Sequence, residues 1–289
     1  PGYDFSTTVG PIIKKPEQQL ERALTALDDG EEWLIKPSQI DEAGLMWSPG
    51  VKTGVKPGSW SHLNEWFGPV LAIMVAPDLK TAIGWQNATD FGLTAGIQSL
   101  DPDECQEWIE NVEAGNLYVN RGVTGAIVNR QPFGGWKKSS VGPNAKAGGL
   151  NYISTLRVWP RVTGVQPAIH GAKLWWDKTG SKAIDRSGLS VEKNYQRYVR
   201  YSKPILVVAD ESTTREELTM VQKLSELMDI KVDVVSSIDE YKGDFARVRW
   251  LSSAKPPVLE MLARGITVDH RPIAQRGDIE APRWLQEQS

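Results

Sequence analysis

VLAIMVA (70–76), DLKTAIGWQNAT (78–89) and TAGIQSL (94–100) form the run on which the fold class turns. The first is an unbroken apolar segment suited to a buried strand, the second reads as a helix, and the third as another strand. Asp101-Pro102 then starts a helix through Val112, and NLYVN (116–120) supplies a further strand. Strands and helices alternating at this spacing predict an α/β layered sheet. Toward the start of the chain, EQQLERALTALD (17–28) repeats Leu20, Ala23, Leu24 and Leu27 at helical spacing, Gly30 is placed to end that helix, and Glu32–Lys36 reads as a strand.

The pattern resumes in the last part of the chain. PILVVAD (204–210) reads as a buried strand. STTREELTMVQKLSELMD (212–229) opens on Ser/Thr caps followed by Glu216 and Glu217, and sets Leu218, Val221, Leu224 and Met228 on one face of a helix. KVDVVSS (231–237), RVRWLS (247–252), PPVLEMLARG (256–265) and ITVDHRPI (266–273) continue the alternation, so this part reads as a small α/β unit of its own. Between the two parts, residues 161–205 carry nine basic and three acidic side chains, mixed with Gly, Ser and Pro and without a sustained period. That stretch is expected to run over a surface as a basic connector and to contribute no core.

Of the 289 residues, 40% are hydrophobic and 24% charged, the composition of a globular chain with material for a core. Lys+Arg 33 against Asp+Glu 36 lacks the basic excess of a nucleic-acid-binding surface. The basic, aromatic stretch EKNYQRYVRYSKP (192–204) could contact nucleic acid, but a tether on an acidic face explains it more simply. No run approaches the roughly 18 apolar residues of a membrane span, and PGYDFSTTVGP lacks the charged and apolar regions of a leader, so the chain is read as cytoplasmic. A single cysteine, Cys105, and three scattered histidines, His62, His170 and His270, offer neither a disulfide framework nor a metal centre.

Two segments could carry chemistry. NRGVTGAIVNRQPFGGWKKSSVGPNAKAGG (120–149) is rich in glycine, which admits positive backbone dihedrals and lets the main chain approach a ligand. Backbone N–H groups in such a loop can bind an anion, although a tight irregular turn has the same composition. It lacks the GxGxxG and GxxxxGK[ST] spacings of the familiar nucleotide loops. In NEWFGPV (64–70), Glu65 is suited to accept hydrogen bonds from vicinal hydroxyls such as those of a ribose, and Phe67 offers a flat apolar surface. On spacing alone, a solvated carboxylate beside a core aromatic is the preferred reading of that segment.

DFSTTVGPII (4–13), NEWFGPV (64–70), QNATDFGLTAGIQS (86–99) and PFGGWKKSSVG (132–142) occur in the order seen in aldehyde dehydrogenases, and residues 1–160 resemble that superfamily. NRGVTGAIVNRQPFGG and GPNAKAGGLNYI are similar to the pyrroline-5-carboxylate (L-glutamate γ-semialdehyde) dehydrogenases, above all to the dehydrogenase module of the bifunctional proline utilisation A (PutA) proteins. RVRWLS and APRWLQEQS look like the carboxy-terminal region of the longer forms. The resemblance implies an α/β fold in which residues 1–160 are the carboxy-terminal part of an aldehyde dehydrogenase catalytic domain, ending in an oligomerisation-type strand, NYISTLRVWP (151–160). Residues 161–204 would be the basic tether and 205–289 a small Rossmann-like, noncatalytic α/β domain that covers or braces the active site.

The same resemblance implies roles. Glu65 would hold the nicotinamide ribose hydroxyls of NAD, and Phe67 would pack near the nicotinamide. Backbone N–H groups of Gly125 and Ala126 would grip the α-carboxylate of glutamate semialdehyde, and Phe133 would line the aldehyde pocket. The family's chemistry uses a cysteine thiolate, an oxyanion-hole asparagine and a glutamate base. All of these, with most of the dinucleotide-binding surface, would precede Pro1, so no catalytic residue is assigned here. Cys105, in DPDECQEWIE, reads as an ordinary helix residue. The chain starts at Pro1 inside a motif, the form of an excised piece that is inactive alone and needs the upstream remainder of its polypeptide. FAD would belong only to a proline dehydrogenase module of a full-length protein, and a homo-oligomer is plausible. The alternative is a noncatalytic binding or structural module that assembles with a dehydrogenase; a degenerate paralogue would be expected to have lost Glu65 or the anchor loop, and both are present.

Overall fold

The computed structural model describes residues 6–128, 130–140 and 145–289. Asp4 and Phe5 of the first motif, Asn129 of the glycine-rich loop, and Val141, Gly142, Pro143 and Asn144 lie outside the described residues. The chain forms two compact units, residues 1–90 with 101–112, and residues 91–100 with 113–289.

In the first unit, strands β1 (Glu32–Ile35), β2 (Gly50–Thr53) and β3 (Val70–Ala72) make a three-stranded sheet. β1 runs antiparallel and β3 parallel to β2. Helix α1 (Gln18–Thr25) buries Ala23 and Leu24 and ends before Leu27, which is exposed. A one-turn helix, α2 (Trp60–Leu63), precedes β3. Helices α3 (Leu79–Asn87) and α4 (Pro102–Asn111) begin where Asp78 and Asp101 accept backbone N–H bonds as N-caps, which satisfies donors that the first turn of a helix leaves unpaired. VLAIMVA departs from the expectation of a buried strand. Only its first three residues are extended, and Leu71 and Val75 are exposed. β3 is the edge of this sheet, so one flank has no neighbouring strand among the described residues.

The second unit contains β4 (Phe91–Gly92), β5 (Thr94–Ile97), β6 (Asn116–Val119) and β7 (Trp136–Lys137), with β5 parallel to β6 and β4 antiparallel to β7. Helix α5 (Val165–Trp175) follows and closes in a π-helical turn at Trp176–Gly180. β8 (Ile184–Asp185) and β9 (Tyr195–Val199) come next, then β10 (Ile205–Val208), α6 (Arg215–Met228), β11 (Val232–Val235) and β12 (Arg247–Trp250). The last elements are α7 (Val258–Ala263), β13 (Val268–Asp269), α8 (Gly277–Glu280) and β14 (Gln286–Gln288).

Strands β10 to β13 form a parallel sheet in the order β11-β10-β12-β13. All four β10 residues are buried: Ile205 and Val207 pack into a cluster with α5 and α6, while Leu206 and Val208 pack into one with Val248 and Met261. A strand covered on both faces needs such a continuous apolar run. α6 carries a Thr214–Glu217 capping box, and its inner face is Met220, Val221, Leu224 and Met228. Leu218, expected on that face, is exposed, and Glu217 is buried against Arg161 at 3.1 Å.

The stretch expected to be a coreless connector is not one. Val162, Ala168 and Ala172 are buried in the same cluster as Trp284, and β9 is the middle strand of the antiparallel sheet β14-β9-β8. The burial is carried by two alanines one helical turn apart, side chains too small to register as an apolar period. Ala168 and Ala172 admit α8 so closely that a Cβ on Gly277 would lie 1.8 Å from the Ala168 carbonyl oxygen. NYISTLRVWP also differs from its expectation: it forms a 3-10 turn at Ile153–Leu156 and no strand. Local bonds, Tyr152 N–H to Gly149 and Thr155 N–H to Tyr152, hold it in turns, and Ile153, Leu156 and Val158 are exposed.

Candidate active site

The NEWFGPV segment lies in the first unit, between α2 and β3. His62 fixes its approach, accepting the Gly58 N–H at Nδ1 (2.9 Å) and meeting the Trp85 carbonyl through Nε2 (2.8 Å). Trp66 stacks on Trp60 at 5.5 Å, and its indole N–H donates to the Val70 carbonyl at 3.2 Å. Phe67 sits at φ +46, in the left-handed region that bulky residues seldom enter, and the residue is 84% exposed. Glu65 is exposed as well. Strain of this kind concentrates where a side chain is presented for use.

The glycine-rich loop lies in the second unit and leaves β6 at Asn120. That residue takes a left-handed φ of +56, tolerated because its side chain bonds both the N–H and the carbonyl of Ser99. Gly125 stands at φ +79. The buried Tyr118 hydroxyl donates to the Gly125 carbonyl at 3.0 Å and accepts from Gln131 at 3.1 Å. Gly125 and Ala126 are exposed, and their backbone N–H groups carry no hydrogen bond to another described residue. Arg121 and Arg130 flank the turn. Both reach Glu192, at 3.6 and 3.0 Å, and the Arg121 guanidinium also lies over the Tyr118 ring at 5.3 Å.

Phe133 pairs with Ala147 through two backbone bonds, 2.9 and 3.0 Å, and is half-buried. Asn116, wholly buried on β6, holds the flanking chain: its amide donates to the Pro132 carbonyl at 3.0 Å and its carbonyl oxygen accepts the Gly134 N–H at 3.1 Å. Ser289 donates to the same Pro132 carbonyl at 2.7 Å. Its backbone bridges Gly115 and Leu117, so it continues the edge of β6. A Cβ on Gly115 would fall 2.0 Å from the Gly134 carbonyl oxygen, so only glycine permits this approach.

Behind the loop is a buried polar network that sequence reasoning missed. Glu287 accepts the Lys146 N–H at 3.0 Å and the Asn151 amide at 2.8 Å, while its carbonyl accepts the Trp136 indole N–H at 2.8 Å. Lys146 Nζ donates to the Gly115 carbonyl and to Ser289 Oγ, both at 2.6 Å. Burial pushes the Lys146 ammonium down to about 7, with Glu287 partly opposing. It pushes the Glu287 carboxyl up, against the donors from Lys146 and Asn151. Tyr198, joined to Asn151 at 2.9 Å, is raised by burial and then by Glu287. No local pattern joins Lys146 to Glu287. The β6 alternation did contain a usable signal, since Asn116 and Tyr118 share its buried face.

The structure thus places Glu65 and Phe67 in one unit and Gly125, Ala126 and Phe133 in the other. Within the second unit, Tyr118, Asn116 and Ser289 tie the Gly125 turn and the Phe133 segment to one strand. Cys105 lies in α4, as its sequence suggested. Among the described residues no cluster of His, Cys, Asp and Glu could hold a metal, and no helix is long and apolar enough to cross a membrane.

The aldehyde dehydrogenase family model matches residues 1–158, and the chain belongs to that family. Within it, a 1-pyrroline-5-carboxylate dehydrogenase of Geobacillus sp. is 36% identical over 151 residues, which cover 52% of this chain and 29% of that protein. One of the same name from Bacillus thuringiensis is 37% identical over the same extent. The structure of Proline Utilization A (PutA) from Corynebacterium freiburgense superposes with a TM-score of 0.89 at 38% identity, covering 99% of this chain and 32% of that one. The chain therefore spans about a third or less of the length of these relatives. The PutA likeness extends over the α5–β14 region, which the family model does not reach.

Proposed function

We propose that this chain supplies part of an NAD-dependent L-glutamate γ-semialdehyde (pyrroline-5-carboxylate) dehydrogenase, which oxidises the aldehyde to glutamate in proline catabolism. The observation that carries the reading is the Gly125 turn, where two exposed backbone N–H groups with no hydrogen-bond partner among the described residues lie between Arg121 and Arg130. A turn of free amide donors with positive charge to either side suits a carboxylate. Phe133 supplies an apolar wall for the aliphatic part of the substrate, on a segment held by Asn116 and Ser289.

Glu65 and Phe67 fit the nicotinamide end of NAD by their chemistry. An exposed carboxylate accepts from vicinal ribose hydroxyls, and an exposed aromatic face covers a flat heterocycle. NAD, when bound, supplies the hydride acceptor. The nucleophilic cysteine, the oxyanion donor and the base are assigned to sequence preceding Pro1, because Cys105, the one cysteine, belongs to a helix of the first unit. Residues 205–289 are assigned a noncatalytic bracing role, which the bonds from Glu287, Gln288 and Ser289 to residues 114–146 support. A flavin module and a homo-oligomer would belong to the longer polypeptide, and its setting would be the cytoplasm.

Substituting Gly125 tests the substrate assignment. Valine at φ +79 is strained by roughly 1–2 kcal/mol, so Gly125→Val in the complete dehydrogenase is expected to raise the KM for glutamate semialdehyde by about tenfold. An unchanged KM would remove the carboxylate grip from this loop.

A further inference from the structure

The Gly125 turn is an irregular loop, yet binding a carboxylate through backbone donors demands that one particular peptide face outward. The bond that decides this comes from β6. Tyr118 is 2% exposed on the inward face of that strand, and its hydroxyl meets two partners. Gln131 Nε2 can only donate, at 3.1 Å, so the hydroxyl's own proton is directed to the Gly125 carbonyl oxygen, at 3.0 Å. The Gly125 carbonyl and the Ala126 N–H belong to the same planar, trans peptide, in which the two groups point in opposite directions. A carbonyl drawn toward β6 therefore aims the Ala126 N–H away from it. Gly125 allows that peptide orientation at a positive φ, which it adopts without strain.

We propose that Tyr118 is a positioning residue for substrate selection: its hydroxyl fixes the Gly125–Ala126 peptide so that the Ala126 N–H faces an α-carboxylate. The inference rests on the reading of this loop as the carboxylate-binding element. It concerns a side chain that does not touch substrate and acts only through one peptide. Arg121 reinforces the arrangement, lying over the same ring and bound to Glu192. Without the hydroxyl the peptide is free to rotate, and a substrate carboxylate must order it on binding.

Tyr118→Phe keeps the ring and its packing and removes the one donor. In the complete dehydrogenase, KM should be measured for glutamate semialdehyde and for pentanal, an aldehyde of the same chain length without the amino and carboxylate groups. The loss of one hydrogen bond is expected to raise the KM for glutamate semialdehyde about fivefold. The ratio of kcat/KM values for the two aldehydes should fall by the same factor, with kcat for glutamate semialdehyde held within about twofold. A merely structural role would move both aldehydes together, and that result, or an unchanged ratio, would overturn the inference. Inhibition by glutamate, the product, should weaken in parallel, which reads binding without turnover. A wild-type enzyme that oxidises pentanal but not glutamate semialdehyde would instead refute the underlying function, and this inference with it.

Discussion

The backbone N–H of Lys146 donates to the Glu287 carboxylate at 3.0 Å across 141 positions of sequence. That bond fastens β14 and Ser289 beneath the glycine-rich loop, and the same lysine closes the arrangement through its side chain, which donates to Gly115 and Ser289. Both residues are buried, so the attachment is sensitive to protonation.

Lys146 gives that sensitivity a definite sign. Burial lowers its ammonium from 10.5 to about 7, so between those values the unfolded chain holds a proton that the folded chain does not. Stability must then rise with pH across that window, and the burial cost is fully present below it. The thermal midpoint of the wild-type protein, compared with Lys146→Met, is expected to gain roughly 2 kcal/mol, or about 5 °C, between pH 7 and 9. Parallel pH profiles for the two proteins would show that the lysine keeps its proton in the fold.

Glu280 is expected to be the most costly single residue to remove from the second unit. It is fully buried and accepts from Arg249 at 2.7 Å, the Trp284 indole at 2.9 Å, Arg283 at 3.0 Å and the Ala274 N–H at 2.9 Å. Glu280→Ala leaves two buried guanidinium groups short of an acceptor and should cost about 3–5 kcal/mol in denaturant unfolding. Asp269 shares the cluster. Burial alone would raise its carboxyl, but Arg249, Arg271 and Arg247 override that and hold it well below the usual range. The stability it contributes is present above the ordinary carboxylate value and is lost as pH falls toward the depressed one.

Glycine substitutions separate close packing from mere flexibility. Gly277→Ala forces a Cβ to within 1.8 Å of the Ala168 carbonyl and should cost about 3 kcal/mol or more, since backbone must move. Gly84, exposed in the middle of α3 with nothing within 4 Å of a Cβ, should tolerate alanine and gain about 0.5–1 kcal/mol. Unfolding curves of the two variants check both signs.

What the sequence revealed follows from how locally each feature is encoded. Asp78, Asp101-Pro102 and Thr214–Glu217 mark helix starts within four residues, and the structure has caps at all three. The apolar run of β10 likewise announces a strand buried on both faces. The pairing of Arg197 with Gln288 in the β9–β14 ladder is invisible at that range: β14 is wholly polar, and the partners lie 91 positions apart. α5 escaped notice because alanines carry its buried face. In the glycine-rich loop, composition marked only a main chain open to close approach. The Tyr118 hydroxyl that orients it became evident only once β6 and the loop were placed together.

The most direct test of the account is NADH formation from NAD and glutamate semialdehyde, measured on residues 1–289 and on the polypeptide extended upstream through the whole dehydrogenase module. The account predicts activity only in the extended form, because it assigns the nucleophile to sequence preceding Pro1. Activity in residues 1–289 alone would contradict it, since Cys105 or another group of this chain would then have to carry the chemistry.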